Sequence, residues 1–216
     1  MTRSSVVVAA AIAMLVGPAI AADQPTVVSL ASAKPGGMPD GFTSELTGRG
    51  AQGHWEVIQE PSAPGSRVFA QTSADPTDYR FPLAVYQDVT ATNIDVTVRF
   101  NAVSGRGDRA GGIAVRVSDN NNYYVLRANA LEDNVNFYRV VKGSRREIHG
   151  VGNRVSSGEW HTLGLRAEGN RFTSFFDGKQ LFVVQDDTFP GAGKIALWTK
   201  ADSVTQFSDL VFRPLP

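Results

Sequence analysis

Hydrophobic and polar residues alternate along this chain in short runs. In NIDVTVRFNA, Ile94, Val96, Val98 and Phe100 fall on one side and Asp95, Thr97 and Arg99 on the other. A period of two is the mark of a half-buried strand. GGIAVRVS sets Ile113, Val115 and Val117 against Ala114, Arg116 and Ser118 in the same way. Residues 121–141, NNYYVLRANALEDNVNFYRVV, predict two strands joined by an acidic turn. Two or three more follow from Trp160, with EGN and DGK turns, of which Asp177-Gly178 is a tight-hairpin signal. GKIALWTKAD and VTQFSDLVFRPL close the chain. No heptad, tandem repeat or long 3.6-residue stripe interrupts the pattern. About ten or more strands without intervening helices predict an all-β fold, a two-sheet antiparallel β-sandwich. Residues 42–216 form the expected single domain. The Pro/Gly-rich stretch 22–41 is a lead-in with at most one edge strand, Thr26 to Leu30.

Parity then sorts side chains between the two faces. In the strand from Tyr123 to Leu131, Tyr124, Leu126, Ala128 and Ala130 face the core, which leaves Tyr123, Val125, Arg127 and Asn129 outward. In the next strand Val135, Phe137 and Val141 point in, and Asn136 and Tyr138 out. The same rule puts Arg99, Arg116, Trp198 and Lys200 on open faces. If these strands share a sheet, that face combines aromatic rings with planar hydrogen-bonding groups. Rings stack on the apolar faces of pyranoses, and arginine and asparagine make directed bonds to hydroxyls and carboxylates. Arg99, Arg116, Arg127, Asn129, Tyr138, Trp198 and Lys200 are therefore candidate carbohydrate-binding residues. The competing reading is a solvated face with cross-strand ion pairs.

The termini and composition set the compartment. Arg3, the apolar run Val6 to Val16 and small residues at Ala19 and Ala21 make a signal peptide over 1–21, with cleavage expected before Ala22. A periplasmic or secreted bacterial protein is the expectation. The apolar run is too short to span a bilayer, so no membrane insertion is expected. With no cysteine, the mature chain of about 195 residues must be held by its core, and thiol chemistry and lipid anchoring at cysteine are excluded. The 21 basic and 21 acidic residues leave no excess for a nucleic-acid partner.

Catalytic and metal motifs are sparse. Glycoside hydrolysis generally needs two carboxylates flanking the bond, and the alternating E-x-D-x-x-E strand motif is missing. Glu132, Asp133 and Asp202 are the weak candidates. His54, His149 and His161 lack ligand spacing, which disfavours zinc. No organic cofactor fingerprint occurs. A structural calcium ion would need oxygen clusters such as SDNNN, QDD or FSDL, with Asp119 and Asp209 as candidate ligands, although turns use the same residues. Arg106-Gly107-Asp108 is an adhesion tripeptide only by composition, and a strand-connecting loop is the expectation.

Three stretches, GGIAVRVSDNNNYYVLRA, EWHTLGLRAEGNRFTSFFDGKQL and GKIALWTKADSVTQFSDLVF, carry a further likeness. With the early W-x-V at Trp55–Val57, the chain resembles the DUF1080 (3-keto-disaccharide hydrolase) group of the concanavalin A-like lectin/glucanase superfamily. That resemblance implies a jelly roll with a glycan on its concave sheet. It supplies no acid–base pair that maps onto this chain. Three readings follow: a carbohydrate-binding jelly roll, a glycoside hydrolase acting on (3-keto-)disaccharides, and an envelope module with a protein partner.

Overall fold

A computed structural model describes residues 24–30 and 33–216, so the leader expected at 1–21 lies outside the described residues. The strands in chain order are β1 (Thr26–Val27), β2 (Phe42–Gly48), β3 (Trp55–Gln59), β4 (Arg67–Gln71), β5 (Arg80–Ala91), β6 (Ile94–Ser104), β7 (Ala110–Asp119) and β8 (Asn122–Asn129). They continue with β9 (Asn134–Val141), β10 (Ser144–Gly152), β11 (Trp160–Glu168), β12 (Arg171–Phe176), β13 (Lys179–Gln185), β14 (Gly193–Trp198) and β15 (Val204–Pro214). Sheet I runs β10-β9-β8-β7-β14-β5-β2, and sheet II runs β13-β12-β11-β6-β15-β4-β3 with β1 on β15; the pairings are antiparallel. The fold is the two-sheet antiparallel sandwich that the alternation predicts. Among the described residues no helix is long and apolar enough to cross a membrane.

The core forms where the inward faces meet. Ile94, Val96, Val98 and Phe100 of sheet II pack against Ile113, Tyr124, Leu126 and Phe137 of sheet I, all at most 1% exposed. Parity holds along β6, β8 and most of β9, and it breaks at Arg116. That residue takes a positive φ of 52°, and the β7 register slips between Val115 and Asp119. Opposite it, a Cβ on Gly193 would stand 2.4 Å from the Arg116 carbonyl carbon, so the bulge fits only against glycine. Past the bulge the faces exchange: Val117 turns outward, and Arg116 turns toward sheet II. Its guanidinium binds the carbonyls of Thr92, Phe189 and Gly169 over the Phe172 ring.

Sheet I is strongly curled. β10 and β5 are separated by β9, β8, β7 and β14, which would set them about 24 Å apart in a flat sheet. Yet the Arg145 guanidinium of β10 lies 4.7 Å from the Phe81 ring of β5. The Tyr79 hydroxyl, just before β5, accepts from Arg145 N–H at 2.8 Å and donates to the Gly143 carbonyl at 3.2 Å. At the far edge Asn120 in the β7–β8 turn donates to the Leu46 carbonyl of β2 at 2.7 Å. These bridges roof the middle of the concave face. Beneath them lies a second apolar cluster that includes Phe81, Leu83, Tyr123, Val125, Tyr138 and Trp198.

Candidate functional site

The roof changes the standing of Trp198. Strand parity places it on the outer face of sheet I as expected, but the ring is fully buried. It stacks on Phe81 at 5.2 Å, donates its indole N–H to the Tyr123 hydroxyl at 3.2 Å and lies under Arg145 at 5.6 Å. What covers this outward tryptophan is the protein itself, which corrects its expected role as a stacking platform. Arg99 is also corrected in place. It belongs to β6 in sheet II, ion-pairs with Asp209 at 3.7 Å and lies over Trp160, on the opposite side of the sandwich. Arg116 is turned inward by its bulge and spent on three backbone carbonyls.

The remaining candidates do converge. At the end of sheet I where β8 and β14 finish and β9 begins, beside the 105–109 loop, Arg127, Asn129, Tyr138 and Lys200 join residues that parity alone did not single out: Asp108, Asn134, Arg145 and Glu147. Arg127, 1% exposed, donates to Glu132 Oε2 and Asn134 Oδ1, each at 2.7 Å. Its guanidinium lies 5.5 Å from the Tyr138 ring centre, and that of Arg145 lies 4.5 Å from the same ring. Asn136 donates to both the Tyr138 hydroxyl at 3.1 Å and Glu147 Oε2 at 2.9 Å. Lys200 Nζ stands 2.5 Å from Asp108 Oδ2, and Asn129 donates to Asp108 Oδ1 at 3.1 Å. Asn129 is fully buried and its own oxygen accepts from Leu131 N–H, so it positions the loop rather than facing outward.

The site opens in one direction. Its floor, Arg127, Asn129 and Asp108, is buried, while the Glu132 side chain is 46% exposed and Glu147 is open to solvent. Burial pushes the Asp108 carboxyl up, against the opposing pull of Lys200 and Arg127. For Glu132 burial works the same way but loses: the Arg127 charge and the bonds from Asn134 and Arg127 hold its carboxyl below the usual range. A separate groove of about 260 Å³ indents the same face between β2, β5, β14 and β7, over Val85 and Val117, with Glu45, Gln87 and Lys194 on its walls.

The other acidic candidates serve the backbone. Asp202 accepts the N–H groups of Arg106, Gly107 and Asp108 at 2.6 to 3.1 Å. These bonds hold its carboxyl below the ordinary range although burial opposes them. The Arg-Gly-Asp tripeptide is thus clamped in a loop, with Asp108 fully buried. Asp133 has φ 47° and accepts Val155 N–H at 2.9 Å, a turn role. Asp119 caps the β7–β8 turn through Asn121 N–H at 2.7 Å, and Asp209 sits in a β15 bulge with φ 48°. In QDD, Asp186 takes bonds from Tyr124, Arg139 and Thr188. Among the described residues no group of three or more His, Asp or Glu could hold a metal ion.

Solved structures share this architecture. The carbohydrate binding module CBM66 from Bacillus subtilis is similar with a TM-score of 0.64 at 20% identity, over 80% of this chain and 95% of that one. The β-glucanase of Bacillus licheniformis matches at 0.55 and 13% identity, over 83% and 95% of the two chains. A Bacillus subtilis protein of unknown function with a galectin-like fold matches at 0.55 and 11% identity, over 80% and 88%. The fold is a jelly roll. At these identities the likeness is one of fold alone. No protein-family model matches the chain, and no curated protein matches it in sequence.

Proposed function

We propose that this chain is an exported carbohydrate-binding protein whose sugar docks at the Arg127–Tyr138–Arg145 end of sheet I. Kinship with the DUF1080 group and maturation before Ala22 belong to the same proposal. One observation carries it. At one end of a curled sheet face that is largely covered by its own apolar packing, planar donors and acceptors surround a tyrosine ring, with Glu132 and Glu147 exposed beside it. Asn136 bonds to both Tyr138 and Glu147, and Arg127 to both Glu132 and Asn134, so the polar groups are held in fixed directions before a ligand arrives. Fixed directions are what distinguish one arrangement of hydroxyls from another. The likeness in fold to a carbohydrate binding module supports the reading.

The test is titration of the mature protein with a panel of glycans, first by thermal shift and then by calorimetry. Arg127→Gln should weaken the best ligand about tenfold or more, since a bond from a charged donor is worth roughly 1.5–3 kcal/mol. Arg99→Gln, on the other sheet, should leave affinity unchanged. Equal affinity for wild type and a folded Arg127→Gln protein would overturn the site.

The opposed carboxyls favour a second reading, a glycoside hydrolase. Asp108 is pushed toward its protonated form and Glu132 held ionised, beside the same arginine. Divergent environments of this kind separate an acid from a base or nucleophile. Product release from glycosides or 3-keto-glycosides, abolished by Glu132→Gln with binding kept, would establish it. Binding without turnover across such a panel would leave the first reading alone.

A further inference from the structure

Resting on that reading, we infer that the ligand is acidic: a uronic acid or similar sugar carboxylate whose charge is received by Arg145. The inference starts from an imbalance in the cluster. Glu132 has Arg127 and Asn134, Asp108 has Lys200 and Asn129, and Glu147 has Asn136. Arg145 has none of them. Its guanidinium forms no side-chain hydrogen bond and no ion pair among the described residues, and Nη1 is both buried and unpaired. What surrounds it is aromatic: Tyr138 at 4.5 Å, Phe81 at 4.7 Å and Trp198 at 5.6 Å.

A guanidinium carries five N–H donors and cannot shed its charge. Ring faces offset part of its desolvation but accept no strong hydrogen bond. Burial presses the Arg145 pKa downward, with the nearby Arg127 adding to that pressure, while Tyr138 and Asp108 oppose it. Arg127 adds a second open donor, since its Nε is buried without a partner as well. Two arginines over one tyrosine ring, each with an unused N–H, leave room in the hydrogen-bond inventory for a planar anion. A carboxylate accepts from such forks in pairs, which a hydroxyl cannot reproduce. The aromatic cage holds the guanidinium beforehand, and the Tyr79 hydroxyl, accepting from the Arg145 backbone N–H, holds the strand that carries it, so little ordering is required on binding. Neighbouring Glu132 and Glu147 would repel a bare anion. They suit a sugar that also offers them hydroxyl hydrogens.

The experiment compares glucuronate, galacturonate, mannuronate and guluronate, as monosaccharides and short oligomers, with their neutral counterparts. Calorimetry is run at two salt concentrations on wild type, Arg145→Gln and Arg145→Lys, each checked for fold by circular dichroism. The expected result is at least tenfold tighter binding of one acidic sugar over its neutral partner, weakened by salt. Arg145→Gln should remove that preference, and Arg145→Lys should restore only part of it, because an ammonium lacks the fork. A neutral sugar bound as tightly as its acid, with Arg145→Gln unchanged, would overturn the inference and leave the carbohydrate reading in place. Should Arg145→Gln fail to fold, the wild-type acid-to-neutral ratio and its salt dependence decide alone. Wild type that binds neither class would overturn both.

Discussion

The two sheets present outer faces built by the same strand alternation, and their charges live in different worlds. On sheet II, Arg166 pairs with Glu168 at 2.8 Å, with both side chains near 40% exposed, and Arg213 meets Asp95 at 4.0 Å. Each charge has its opposite beside it in water, an arrangement worth little. On sheet I the charges are sunk beside a second apolar cluster, and Arg145 is left without a counter-ion. The difference comes from curvature. A flat sheet would have exposed Trp198, Tyr123 and Arg127 to water, whereas the curled one brings β10 over β5 and buries all three. A buried polar group needs a partner; a solvated one does not. The face whose buried guanidinium groups keep unpaired N–H donors, at Arg127 and Arg145, is the one that points to an anionic ligand.

That contrast can be broken by substitution. Trp198→Ala removes a fully buried ring stacked on Phe81, so it should cost about 3–5 kcal/mol of stability in denaturant unfolding. A loss below about 1 kcal/mol would mean that the roof over sheet I is open in solution. Asp202→Ala strips the acceptor from Arg106, Gly107 and Asp108 N–H, with an expected cost of roughly 2–3 kcal/mol. Because the Asp202 pKa is depressed in the fold, its contribution is present above the ordinary carboxylate range and fades as pH falls through the folded value. The acid limb of stability should therefore flatten in Asp202→Ala.

At the alkaline end the buried Tyr123 phenol takes over. Burial, against the bonds from Thr47 and Trp198, pushes its pKa from 10.0 to about 12. Its neutral form is favoured by folding, so its contribution is full below pH 10 and is lost as pH rises toward 12. Tyr123→Phe should soften that decline; an unchanged alkaline profile would place the phenol in water. The smallest effect belongs to sheet II. Arg166→Ala should change stability by no more than about 0.5 kcal/mol, and a larger loss would show that the convex face carries more than solvated pairs.

Much of the fold was legible because alternation is a local property. Val96, Val98 and Phe100, or Leu126 and Phe137, declare their side within a few residues. The bulge at Arg116 was not legible, since it depends on Gly193, a strand away in space and far along the chain. Parity was enough to put Arg127, Tyr138 and Trp198 on one face. It could not say that the face would be roofed, because the contacts that curl sheet I, from Tyr79 to Gly143 and from Asn120 to Leu46, link distant segments. Asp108 was hidden inside a tripeptide that suggests a surface motif, and Arg145 in SRREIHG had no apolar alternation to mark it. Arg80 shows the same limit: its guanidinium is buried on the carbonyls of Ala51, Gln52 and Ala201, which nothing in RFPLAV announces.

The most direct measurement is a nuclear magnetic resonance titration that follows side-chain N–H signals of Arg127, Arg145, Trp160 and Trp198 as the best-binding glycan is added. Binding at the open end of sheet I predicts that the Arg127 and Arg145 signals shift in step with saturation, that Trp198 moves slightly beneath Arg145, and that Trp160 on sheet II stays still. A saturating shift at Trp160 with the two arginines unmoved would place the ligand on the other face and contradict the account.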